Sequence, residues 1–160
     1  VRWAVDLAVF GALFAGVMAF QTRDLVGSGE AAPAFRLKDM QGQTRALSDY
    51  QGKKTVVAFW APWCSVCEVE VPTLSAMHAD MGDEVNVISI VQGYRSLESV
   101  EGFVAEHGVD YPVLLGTEQT EADYRISKYP TLYILDEQGR IEDTVVGYTT
   151  GLGLRARVWF

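Results

Sequence analysis

The chain has 160 residues, 49% hydrophobic and 21% charged, the composition of a globular protein with enough length for one domain and a full core. Its formal net charge is −8 with no run of lysine or arginine, which argues against nucleic acid as a partner. Two cysteines cannot build a disulfide-dense scaffold, so the fold must stand on its apolar core.

The first segment, Trp3 to Phe20 (WAVDLAVFGALFAGVMAF), is apolar except for Asp6. As a helix it would span roughly 27 Å, close to the hydrocarbon thickness of a bilayer, with Trp3 and Phe20 near the two interfaces. No polar face runs through Leu7 to Phe20, so a membrane helix is expected rather than a core helix. Val17-Met18-Ala19 resembles a weak cleavage site, but an uncleaved anchor over 1–21 is the expectation. Residues 22–32 carry Gly, Ser, Ala and charge without an apolar period and read as a tether. The folded domain is expected over 33–160.

A short hairpin is predicted first, with Phe35 to Met40 and Thr44 to Leu47 joined through Gln41-Gly42-Gln43. KTVVAFW, Lys54 to Trp60, is a β-branched apolar run and reads as a buried strand. A helix follows from Cys64 to about Met81, with Pro72 expected to kink it. VNVISIV, Val85 to Val91, is a second buried strand. Ser96 to His107 suits a helix capped by Ser96 and stopped by Gly108. Pro112 to Leu115 is a short extended run, and Gln119 to Ile126 a short helix. TLYIL, Thr131 to Leu135, turns at Asp136-Glu137-Gln138-Gly139 into a hairpin partner, Ile141 to Val146. Gly151 to Phe160 is an amphipathic helix. This order predicts an α/β fold, a mixed sheet with helices on both faces.

Both cysteines lie in FWAPWCSVCEVEVP, as Cys64 and Cys67. Haem attachment needs His after the second Cys, where Glu68 stands. A structural zinc site needs four ligands, and His78 and His107 are far apart and out of finger spacing. Idle core cysteines remain open, but do not explain why both fall at a strand-to-helix corner. Redox chemistry does. A thiolate at a helix N-terminus faces unpaired N–H groups and the positive end of the dipole, which lowers the Cys64 pKa. Cys67, one turn on, can close a disulfide and resolve a mixed disulfide formed at Cys64.

WAPWCSVC followed by EVEVP, with Tyr129-Pro130-Thr131 opening a later strand, resembles the active site of thioredoxin-fold proteins. The likeness spans about 33–160. The membrane segment and the E-V-P after the motif resemble the tethered TlpA, ResA and DsbE-like group, and GYTTGLGLRARVWF is most similar to its ScsD-like branch of protein disulfide oxidoreductases, associated with copper tolerance. The resemblance implies a thioredoxin-like fold and a protein disulfide oxidoreductase of the bacterial periplasm, held to the inner membrane by one helix. It implies Cys64 as nucleophile, Cys67 as resolving thiol, and Pro130 as a cis-proline shaping the client groove. Trp63 and Tyr129, with Thr131, would form the substrate surface, although Tyr129 also reads as a packing residue. The partners implied are proteins with thiols or disulfides and a membrane electron donor. The dithiol carries two electrons itself, so no cofactor and no metal are expected.

The pattern also departs from thioredoxins. The place of their buried Asp is Ala58, and Glu70 is the substitute, on a stripe with Leu74, Met77 and Met81. Buried there, it would accept a proton as Cys67 attacks; a solvated helix glutamate is the other reading. The inner pair Ser65-Val66 replaces the common Gly-Pro and leaves the direction of electron flow open, with a reductase expected. A reductase dedicated to apocytochrome c and a non-enzymatic Cu(I) module held by the two thiolates are the alternatives. Glu118 and Glu121 read as a solvated acidic turn.

Overall fold

A computed structural model describes residues 2–160, and Val1 lies outside the described residues. One mixed sheet runs through the molecule. After helix α1 (Arg2–Thr22) come strands β1 (Arg36–Asp39), β2 (Thr44–Ala46) and β3 (Lys54–Trp60), helix α2 (Ser65–Met81), β4 (Val85–Val91) and α3 (Leu97–His107). They are followed by β5 (Val113–Leu115), α4 (Glu118–Asp123), β6 (Thr131–Leu135), β7 (Ile141–Val146) and α5 (Gly151–Trp159). The seven strands lie in the order β2-β1-β5-β4-β3-β6-β7.

The alternation of β3 explains the layering. Val57 and Phe59 enter one cluster with Ile88, Ile90, Tyr133 and Leu135. Val56 and Ala58 enter another with Leu74 and Met77 of α2 and Leu154 and Val158 of α5. Side chains on successive strand residues point to opposite faces, so a strand apolar throughout needs cover on both. Helices α2, α3 and α5 supply one cover, with Phe103 of α3 stacked at 4.4 Å on Trp60. The other comes from Tyr124 behind α4 and from the chain between Leu25 and Phe35.

The expected hairpin forms, but it is not an appendage. β1 pairs antiparallel with β5, Lys38 opposite Leu115, so the short run before Gly116 is a sheet strand and the hairpin extends the main sheet. The helix expected over Gln119 to Ile126 is shorter at its end. Thr117 caps α4 by accepting from the Thr120 amide, and Arg125 turns the chain with φ 52°. Pro72 sits inside α2, which continues to Met81.

Helix α1 is exposed from Trp3 to Val17 and half-buried at Met18, Gln21 and Thr22, and Trp3–Thr22 is long and apolar enough to cross a membrane. The stretch 22–32, expected as a tether, makes specific contacts with the domain. Leu25 and Val26 are 6% exposed, the Val26 amide donates to the Tyr133 hydroxyl at 3.3 Å, and the Gly29 amide donates to the Ile141 carbonyl. Burial of these two apolar side chains, each worth roughly 1.5–3 kcal/mol, acts together with the hydrogen bonds that tie the stretch to β7 and Tyr133.

Candidate active site

β3 delivers the site to the end of the sheet. After Trp60 the chain turns through Ala61-Pro62-Trp63, and Cys64, still extended (φ −96°, ψ 103°), is the N-cap of α2. Its Sγ accepts from the Cys67 amide at 3.2 Å. Sulfur thus takes the place that a serine or aspartate oxygen holds at other helix starts, and the first-turn amides lie where a thiolate would form. Cys64 and Cys67 are joined in a disulfide with their Cα atoms 5.3 Å apart. Both are nearly buried, at 7% and 4% exposure, with Cys64 the more open of the two.

The second wall comes from the loop before β6. The Tyr129–Pro130 peptide is cis, and Pro130 is buried. Thr131 lies opposite Phe59 in the ladder, which places Pro130 beside the end of β3 and the turn to Cys64. The Pro130 carbonyl accepts from the Gly147 amide at 2.8 Å, and the Thr131 hydroxyl donates to the Lys128 carbonyl at 2.8 Å. Thr131 differs from its expected place on the substrate surface. It is wholly buried as the first residue of a central strand, and its hydroxyl is taken up inside the loop.

Trp63 and Tyr129 do come together. Trp63 is 67% exposed, and its Nε1 donates to the Gly93 carbonyl at 3.0 Å. The Tyr129 ring meets it edge-on, with centroids 5.7 Å apart and planes at 82°. On the far side of Trp63 lies an open groove of about 630 Å³, lined among others by Pro62, Glu68, Tyr94, Arg95 and Phe103.

Beneath the disulfide, Glu70 is buried and is not the solvated helix glutamate of the second reading. It is 1% exposed, on the inward face of α2 with Cys67, Val71, Leu74 and Met77. Burial pushes its carboxyl up to about 7, eased by the Thr149 amide, which donates to Oε1 at 3.3 Å. Burial and then the nearby Glu70 carboxyl push the Tyr111 phenol well above its usual range. Ala58 lies in the core, as its place in β3 requires.

Sequence reasoning missed three contributors. The Gly93 carbonyl and the Thr149 amide are backbone groups, whose direction no residue type announces. Glu121, read as a solvated turn residue, accepts a hydrogen bond from the Tyr129 hydroxyl. Burial and that bond push the Tyr129 phenol well above its usual range.

A cysteine pair at a helix head, beside a cis-proline loop and on this sheet, defines a thioredoxin-like thiol–disulfide oxidoreductase. The chain belongs to the AhpC/TSA family, whose model matches residues 28–144. It is 35% identical over 127 residues to the thioredoxin-like protein YneN of Bacillus subtilis, covering 78% of this chain and 75% of that one. It is 29% identical over 149 residues to the thiol-disulfide oxidoreductase ResA of the same organism, covering 92% and 79%. Among solved structures it resembles the exposed lipoprotein thioredoxin Etrx1 of Streptococcus pneumoniae, with a TM-score of 0.69 and 29% identity, over 79% of this chain and 98% of that one.

Proposed function

We propose that this oxidoreductase reduces disulfides of client proteins outside the cytoplasm, in the bacterial periplasm, from a position fixed at the inner membrane by α1. The observation that carries the reading is the placement of Cys64 as N-cap of α2 in a disulfide with Cys67, one turn above buried Glu70.

In the reduced chain the Cys64 thiolate, favoured by the first-turn amides and the helix dipole, attacks one sulfur of a client disulfide. A mixed disulfide forms and the other client sulfur leaves as a thiolate. Glu70, poised near neutrality, takes the Cys67 proton. The Cys67 thiolate then attacks Cys64 Sγ, the client's second sulfur leaves, and the Cys64–Cys67 disulfide closes. Two electrons pass to the client, and a membrane electron donor restores the dithiol. Trp63, Tyr129 and Pro130 form the surface on which the client chain lies.

The full chain with Cys67→Ser tests this. It should accumulate mixed disulfides on Cys64 that dithiothreitol releases, and Cys64→Ser should accumulate none. Equal trapping by both variants would contradict the assignment.

A further inference from the structure

The part of the site that faces a client rests on a carboxylate that plays no part in thiol chemistry. Helix α4 is fixed to the core by its neighbour Tyr124, which is fully buried, packs on Phe59 with ring centroids 4.9 Å apart and donates to the Pro33 carbonyl at 2.7 Å. The Glu121 carbonyl itself accepts from the Ile126 amide at 2.9 Å. Glu121 therefore projects from a backbone anchored to the core on its C-terminal side. Its carboxylate takes the hydroxyl of Tyr129, whose ring edge lies against Trp63, while Trp63 is held from its other side by the Gly93 carbonyl. Three side chains on three separate segments form one chain of contacts around the rim of the disulfide. Its only charged member is Glu121.

We propose that Glu121 is a positioning residue for protein substrates: through the Tyr129 hydroxyl it holds the Tyr129 and Trp63 rings in the arrangement that a client's extended segment meets beside Pro130. The proposal rests on the reading of Cys64 and Cys67 as the exchange pair. A charge-assisted hydrogen bond is stronger than a neutral one, and a preset wall spares the client the cost of ordering these side chains on binding. The effect therefore falls on binding of protein clients rather than on the sulfur chemistry.

The test uses the full chain in detergent, insulin as the protein disulfide and dithiothreitol as the reductant. Glu121→Ala should raise KM for insulin by about tenfold, the equivalent of one charge-assisted bond, with kcat within about twofold. Tyr129→Phe, which keeps the ring and loses the donor, should raise KM by a similar factor, and the double variant should be no worse than either single one. Glu121→Gln retains a neutral acceptor and should recover only part of the loss. An unchanged KM in Glu121→Ala, or effects of the two single variants that multiply, would overturn the proposal. Should Cys64→Ser leave insulin turnover intact, the exchange reading itself fails. The Tyr129 ring resonances then still decide the positioning: they should shift on Glu121→Ala, and unmoved resonances would overturn it.

Discussion

The outer and inner sides of the start of α2 use the same stretch of chain for opposite purposes. Outward, Trp63, Val66 and Val69 stand in solvent at 67%, 44% and 62% exposure. Inward, Cys67, Glu70, Val71, Leu74 and Met77 are buried. An apolar residue on a helix surface gains nothing for folding by being there, so the outer set is available to a client. A carboxylate on the inner side loses hydration, which raises its pKa to about 7, the range that the proposed proton acceptor needs. One helix thus separates an exposed apolar side from a buried side that holds a carboxylate, by the direction each residue faces.

The largest way to break that separation is to damage the inner side. Leu74→Ala, at 3% exposure, should cost about 2–5 kcal/mol in urea unfolding through the cavity it leaves. A truncation on the outward side, Val69→Ala, should stay within about 0.5 kcal/mol and register as a weaker KM for protein clients.

Glu70→Gln sharpens the comparison through pH. The folded carboxyl titrates near 7 against an ordinary 4.5. Between those values the native state holds a proton that the unfolded chain has released. Stability is therefore fully present below about pH 4.5, falls as pH rises through about 7, and is level above. The loss is on the order of 3 kcal/mol. Glu70→Gln should remove this slope, leaving the variant more stable than the parent at pH 8 and equal at pH 4. It should also slow resolution by Cys67 by about a hundredfold, read as longer-lived mixed disulfide in stopped flow. A slope that persists in the variant would show that another group carries it.

The legible part of the fold was what local pattern determines. β3, β4, β6 and β7 run over the residues expected, because each is a short apolar or alternating run between strong turn signals. The capping by Ser96 and the left-handed stop at Gly108 could be read from residue type. The pairing of β1 with β5 could not, since strands of four and three residues carry little pattern and the contact joins distant segments. Docking of Leu25 and Val26 was hidden for a related reason: two apolar residues make no period. At the site, Cys64, Cys67 and Pro130 were visible through spacing and resemblance. Glu70 was visible only as one of two readings, because a single helical stripe does not say which side faces the core. Glu121 was hidden because a carboxylate on a short helix looks solvated until its partner, eight residues on, folds back over it.

The most direct measurement is the reduction potential of the Cys64–Cys67 pair, taken on the detergent-solubilised full chain equilibrated in thiol buffers with free thiols counted. A reductase fed by a membrane donor should lie near thioredoxin, at about −270 mV. A value near that of DsbA, about −120 mV, would make the chain an oxidant and contradict electron flow from the membrane donor to the client.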